Sequence, residues 1–191
     1  KDADVKTAQT NGEQAINKVN VPDTSATKEA AKNAIDQAAQ AKNDAIGKSN
    51  LTDEEKAALK QTVSDEVNKA KAAIDSATKD ADVKTAQTNG EQAINKVNVP
   101  DTSATKEAAK NAIDQAAQAK NDAIGKSNLT DEEKAALKQT VSDEVNKAKA
   151  AIDSATKDAD VKTAQTNGEQ AINAVEVPTA SKTKNDANSD L

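Results

Sequence analysis

Residues 1–78 and 79–156 are one 78-residue sequence written twice, and a third copy begins at Lys157 and matches through residue 173. Self-similarity at a fixed period marks an array, in which one supersecondary unit recurs and buries its apolar face against its neighbours. The third copy then departs. Ala174 stands where the earlier copies have Lys18 and Lys96, Glu176 where they have Asn20 and Asn98, and after Pro178 the correspondence ends.

Three helices can be read within a period. The first spans about residues 24–46, where Ala31, Ile35, Ala38, Ala45 and Ile46 give a narrow apolar stripe at helical spacing. Gly47 reads as the residue after its C-terminus, where positive φ is cheap for glycine alone. The second begins at Leu51-Thr52-Asp53-Glu54-Glu55, with Thr52 as N-cap and Glu55 closing a capping box. Leu59, Val63, Val67, Ala70, Ile74 and Ala77 form its buried face. The third starts near Asp80, and Val83, Ala86, Gly90, Ile94 and Val97 line one side. The connections at 47–51 and 78–80 are short enough to demand antiparallel neighbours.

Pro100 either ends the third helix or kinks it into the next first helix. The fold expected is all-α: tandem antiparallel three-helix bundles stacked end to end as an elongated rod, each helix about 35 Å long at ~1.5 Å per residue. The modules fall at 22–97 and 100–175. Residues 1–19 are then the third helix of a truncated module, and 178–191 a disordered polar tail. The shifted phase, 1–78 and 79–156, has the same length and stands as the alternative.

The stretch AQTNGEQAIN occurs at 8–17, 86–95 and 164–173. Asn-Gly between apolar residues is a strong hairpin signal, yet no strand flanks it, and a break there would leave two helices too short to stand alone. The spacing predicts one continuous helix in which Gly12, Gly90 and Gly168 are notches for a neighbouring helix. A mid-helix glycine costs about 1 kcal/mol against alanine, so a packing reason is expected.

Composition excludes much chemistry. The chain has no Phe, Trp, Tyr, Met, Cys, His or Arg; its 26 basic residues are all Lys, and 32 acidic residues bring the net charge to −6. Without Cys there is no disulfide or thiolate, and without His or Cys the usual transition-metal ligands are missing. An acidic chain with neither Arg nor aromatic rings lacks both the basic footprint and the stacking platform of nucleic-acid binding. No apolar run approaches the ~18 residues of a membrane span, and no signal peptide is present. Each period holds 11 Lys and 13 acidic residues, spread evenly, and only eleven Val, Ile or Leu. The small apolar content implies modest stability per module and dependence on neighbours.

Few residues are candidates for chemistry, and each has a structural explanation. Asp2-x-Asp4, repeated at Asp80/Asp82 and Asp158/Asp160, could open a Ca²⁺ loop, but lacks the third oxygen ligand and the glycine of an EF-hand; helix capping is the better reading. Glu54-Glu55 could be paired carboxylates for acid–base work, but the capping box accounts for them. Asn50-Leu51-Thr52 and Asn128-Leu129-Thr130 match an N-glycosylation acceptor, which the N-cap threonine already explains. Lys42 reads as a snorkelling side chain beside the apolar stripe, not a Schiff-base lysine. The charged faces read as solvated surfaces with i,i+4 pairs such as Asp65–Lys69. No catalytic, cofactor or metal residue is assigned, and no small-molecule substrate, nucleic acid or membrane insertion is expected.

Three stretches carry a family likeness: AIDQAAQAKNDAI at 34–46, LTDEEKAAL at 51–59 and VNKAKAAIDSATKDADVKTAQTNGEQAI at 67–94. Together they resemble the domain of unknown function 1542 repeats of Gram-positive cell-wall-anchored surface proteins. The resemblance implies an extracellular segment, anchored to the cell wall through regions outside this sequence, that serves as a stalk projecting a distal binding domain. It supplies no catalytic residue. Two alternatives stand beside the stalk: repeats that themselves bind a host matrix or serum protein, and homophilic association in cell aggregation. The absence of Trp, Tyr and Arg, the usual interface anchors, weighs against direct binding.

Overall fold

Every regular element in the described part of the computed structural model, residues 1–189, is an α-helix. In chain order these are α1 (Asp2–Asn17), α2 (Ala26–Lys48), α3 (Asp53–Ser76), α4 (Asp80–Asn95), α5 (Ala104–Gly125), α6 (Asp131–Ser154), α7 (Asp158–Asn173) and α8 (Lys182–Ser189). Helices α2–α4 and α5–α7 are the two copies of one three-helix sequence, and α1 is a third copy of the sequence of α4 and α7.

The second helix of each copy starts as the sequence predicts. Thr52 Oγ1 accepts the Glu55 N–H at 3.2 Å while Glu55 Oε1 accepts the Thr52 N–H at 2.9 Å. Thr130 and Glu133 repeat the pair at 3.1 and 2.9 Å. Three acidic residues lie in each first turn, against the positive end of the helix dipole. The first helix starts at Ala26 and Ala104, two residues later than the spacing predicts, because Ser25 and Ser103 are the N-caps: each hydroxyl accepts an N–H at 3.1 Å, from Lys28 and Lys106.

Three local expectations are corrected. Gly47 lies inside α2, and no glycine among the described residues has positive φ, so it is not a left-handed C′ residue. The third helix stops at Asn95 and Asn173, well before Pro100 and Pro178. Its 16 residues span about 24 Å rather than the ~35 Å expected of every helix. Of the two roles open to Pro100, ending or kinking, neither applies to α4 itself; residues 96–103 form a non-helical joint in which Val97 and Val99 are half-buried between exposed neighbours. Residues 182–189, expected as disordered tail, form α8, with Ser181 buried ahead of it; residues 190–191 lie outside the described part.

The chain divides into two compact units, one of residues 1–40 with 65–96, the other of 41–64 with 97 onward. In the first unit Ala31 and Ile35 of α2, Ala70 and Ile74 of α3, and Val83, Gly90 and Ile94 of α4 are buried. The glycine notch is real here. A Cβ on Gly90 would lie 2.5 Å from Ala70 Cβ and 2.7 Å from Ile35 Cδ1, so only glycine lets α4 come this close to both partners. Lys32 bridges to Asp75 at 2.9 Å and Lys71 to Asp36 at 2.8 Å, tying α2 to α3. Helix α1, also in this unit, buries nothing, and a Cβ on Gly12 would meet open space.

In the second unit α5, α6 and α7 pack against one another around Ile113, Ile124, Val141, Ile152, Val161 and Ile172. Gly168 repeats the notch, 2.5 Å from Ala148 Cβ. Three lysines report the directions. Lys106, at the start of α5, donates to Asp153 O at the end of α6 at 2.8 Å. Lys134, at the start of α6, donates to Gly125 O at the end of α5 at 2.9 Å. Lys120, late in α5, donates to Asn173 O and Val175 O at the end of α7 at 3.0 and 2.8 Å. Helix α5 is therefore antiparallel to α6 and parallel to α7. Each C-terminus receives an ammonium from a neighbouring helix, where its orphan carbonyls and negative dipole end favour one. The last turns of α5, α6 and α7 carry no basic residue of their own.

Candidate functional site

The chain concentrates its polar contacts at the joint, where the N-terminus of α3 meets the start of α5. Thr52 turns α3 out of the preceding connection and sets Glu55 in its first turn, with the carboxylate facing residues 103–105. Its Oε1 accepts the Thr52 N–H and also the Ser103 hydroxyl at 2.6 Å, while Oε2 accepts the Thr105 N–H at 3.1 Å. Ser103 in turn accepts the Lys106 N–H. One carboxylate thus closes its own capping box and holds the start of a helix 48 residues downstream. Charge-assisted bonds of this kind are the strong ones.

Burial alone would raise the Glu55 carboxyl; the Ser103 hydroxyl and the Thr52 and Thr105 amides outweigh it and hold the group at about 2. The arrangement recurs one period later. Glu133 takes the Ser181 hydroxyl at 2.6 Å and the Thr183 N–H and hydroxyl at 3.3 Å, and the Ser181 bond leads in lowering its carboxyl to about 2. Glu54 reaches elsewhere. Its Oε1 accepts the Asp158 N–H at the start of α7 at 2.7 Å, and the Asp53 N–H donates to Thr156 O at 2.8 Å. The Asp158 amide bond lowers the Glu54 carboxyl. Beside each clamp runs an open apolar groove. One, of about 480 Å³, is bordered by Leu51, Leu59, Pro100 and Ala104, and the other, of about 720 Å³, by Leu129, Leu137, Val175 and Pro178.

This geometry binds helix ends; it is poorly suited to moving protons. A general acid or base works best with a pKa near the operating pH, and Glu55 and Glu133 are fixed anions throughout the neutral range with their lone pairs engaged. The other candidates are scattered. Asp80 and Asp82 sit in the first turn of α4, and Asp158 and Asp160 in that of α7, where acids suit the dipole. The N-caps Lys79 and Lys157 make no side-chain cap bond, and the aspartates serve these helix starts from within the first turn. Among the described residues no three acidic side chains are grouped to hold a metal ion. Asn50 is exposed, while Thr52 is buried with its hydroxyl in the capping box. Lys42 Nζ donates to Val97 O at 2.8 Å, a C-terminal tie like that of Lys120. Lys69 pairs with Glu66 at 3.6 Å, three residues away, where the sequence suggested Asp65.

A family model described as Domain of Unknown Function (DUF1542) matches residues 27–102 and 105–180. The chain belongs to the DUF1542 family. The resemblance carried by residues 34–46, 51–59 and 67–94 therefore holds. Each DUF1542 match takes in one three-helix sequence and most of its joint, and the clamp straddles the boundary: Glu55 lies within the first match, Ser103 between the two, and Thr105 opens the second. The chain is also similar to the "Extracellular matrix-binding protein ebh" of Staphylococcus aureus (strain MW2), 34% identical over 140 residues. That alignment takes in 72% of this chain and 1% of the staphylococcal protein's length. No solved structure matches. No helix among the described residues is long and apolar enough to cross a membrane.

Sequence reasoning singled out Glu54, Glu55 and Thr52 but missed Ser103, Thr105, Ser181 and Thr183. Their partners lie about fifty residues away, and no local pattern announces them. The one usable signal was an omission: Ser103 is an N-cap without the Glu or Gln that a capping box needs at Lys106.

Proposed function

We propose that this DUF1542 segment is a structural spacer: a run of three-helix repeats that sets the distance between other parts of a bacterial cell-surface adhesin and takes no part in catalysis. The observation that supports it most is the clamp. The contact joining one repeat to the next is made by the repeat's own residues and recurs with the period, at Glu55 and again at Glu133. A sequence that carries its own coupling can be extended without any other component. On this reading the segment lies outside the cell and is held at the cell wall through regions beyond this sequence, with a binding domain projected at a distance. The extracellular name of the staphylococcal relative agrees with this.

Small-angle scattering tests the spacer. A globule of 191 residues has a radius of gyration of ~16 Å. The spacer reading expects a value well above this, with the maximum dimension growing in equal steps as 78-residue repeats are added. A compact particle, or growth without steps, would reject it.

The relative's matrix-binding name and the groove beside each clamp support a second reading, in which the repeats contact a host extracellular-matrix or serum protein. Immobilised chain that captures one saturable plasma component, with Leu59→Asp abolishing capture, would favour it over the spacer alone. Homophilic association predicts instead a sedimentation coefficient that rises with concentration.

A further inference from the structure

Three of the chain's five glycines follow an asparagine, at Asn11-Gly12, Asn89-Gly90 and Asn167-Gly168. The notch accounts for the glycines of α4 and α7, since a Cβ on Gly90 would meet Ala70 and one on Gly168 would meet Ala148. It does not account for the asparagine. Asn89 and Asn167 are exposed while the glycines after them are buried, so packing makes no demand on the residue before the notch. A strong helix former there would favour each helix by about 0.5 kcal/mol. Asparagine before glycine has a chemistry of its own. The glycine amide nitrogen can attack the asparagine side-chain carbonyl carbon, because glycine has no side chain to hinder the approach.

Helix geometry suppresses this reaction. Both dipeptides lie inside helices, Asp80–Asn95 and Asp158–Asn173. There ψ at the asparagine is held near the helical value of about −42°, and the glycine N–H is engaged by the carbonyl four residues back. A five-membered ring needs that torsion to rotate away and that bond to break. The asparagine side chain is in water, but its reaction partner is locked until the helix opens.

We propose that Asn89 and Asn167 are latent modification sites, at which opening of α4 or α7 permits conversion to isoaspartate with water as the only co-reactant. The Gly90 nitrogen bonds to Asn89 Cγ, the Cγ–Nδ2 bond breaks, and the Gly90 amide proton leaves with the ammonia released. Water then adds to the Asn89 backbone carbonyl of the cyclic imide, and the ring opens with the main chain running through Cβ and Cγ. Attack on the other carbonyl gives aspartate. Isoaspartate puts one extra atom into the backbone immediately before the notch. Val83 and Ile94, both buried and on either side of it, then no longer fall on one face of α4. A repeat that recloses quickly is unchanged; one held open long enough is kept open. The inference concerns how a repeat ages and does not depend on the spacer reading.

The test follows position 167 by mass spectrometry after cleavage at lysine. The peptide 163–182 is unique in the chain, whereas those carrying Asn11 and Asn89 are identical to each other. At mildly alkaline pH, where ring closure is fastest, a synthetic 163–182 peptide supplies the unprotected rate. The folded full chain should react at least about tenfold more slowly in the same buffer. Full chain held unfolded in guanidinium chloride accumulates the product. On return to native conditions, the helical circular dichroism recovered should fall in proportion to the isoaspartate formed. A chain with Asn11→Gln, Asn89→Gln and Asn167→Gln, treated alike, should recover in full. Asn89→Asp with Asn167→Asp should also fold, which assigns the loss to the altered backbone and not to the charge. Equal rates in folded chain and peptide would overturn the proposal. So would full recovery of the modified chain, or a glutamine or aspartate variant that recovers no better than it.

Discussion

A glycine in the middle of a helix is a weakness or a requirement according to what faces it, and this chain holds both cases in one sequence. At Gly90 an added Cβ would fall 2.5 Å from Ala70 Cβ, an atom with no rotamer to retreat into. Overpacking of this kind costs roughly 1–3 kcal/mol, against about 1 kcal/mol gained in helix propensity. Gly90→Ala is therefore expected to lower stability by about 1 kcal/mol in urea unfolding, and Gly168→Ala likewise. Gly12→Ala, facing open space, should instead raise the helical signal of α1 and leave the main transition where it is. The notch was legible because Ala86, Gly90 and Ile94 keep helical spacing. That Gly12 lacks a neighbour was not legible, since its local sequence is identical. Glu55 divides in the same way. Its capping box lies within four residues and could be read; its hold on Ser103 depends on the path of the chain. Glu55→Gln keeps the shape but loses the charge and one acceptor, and is expected to cost about 1 kcal/mol at neutral pH in the same unfolding measurement.

At the scale of the element, the helices were readable where a stop or start signal is local and misread where it is not. The spacing of Val63, Ala70 and Ile74 marks the buried face of α3, and all three are buried. In α2 the stripe is displaced: Ala39 is buried and Ala45 exposed, because alanines on every side of this helix give periodicity little contrast. The third helix ends early for a reason present in the sequence. Val97-Asn98-Val99 alternates with period two, the pattern of extended chain, and both valines turn inward. The lysine ties belong to this scale as well. Lys120 serves two carbonyls at the C-terminal end of α7, so Lys120→Gln should destabilise by about 0.5–1 kcal/mol. Amide exchange should locate the loss at residues 172–177, with α6 unaffected.

For the whole molecule the consequence of the clamps is coupling between repeats, with a defined response to acid. The ordinary carboxyl value of 4.5 falls to about 2 for Glu55 and Glu133 on folding. A depressed folded pKa gives stability that is complete above the unfolded value and disappears as pH falls through the folded one. The clamps' contribution to stability is thus expected to be constant from pH ~4.5 through neutral pH and to decline between pH ~4.5 and pH ~2, and Glu55→Gln should reduce the size of that decline. Urea midpoints across this range check it. The two kinds of error at smaller scales meet here: repeat, helix count and family likeness were open to a reader of the sequence, while the coupling was hidden because it runs between segments about fifty residues apart.

The third copy shows how little the clamp asks of the helix it holds. After Pro178 most positions differ from the earlier copies, yet Ser181, Thr183 and Lys184 stand in the places of Ser103, Thr105 and Lys106, and Glu133 holds the first two through the same atoms. The serine hydroxyl and the N–H two residues on are the groups common to both clamps, and Lys184 adds a tie of its own to Asn128 O at 2.8 Å. A gene encoding such an array can gain or lose whole periods by recombination between identical copies, and each new seam comes ready-made.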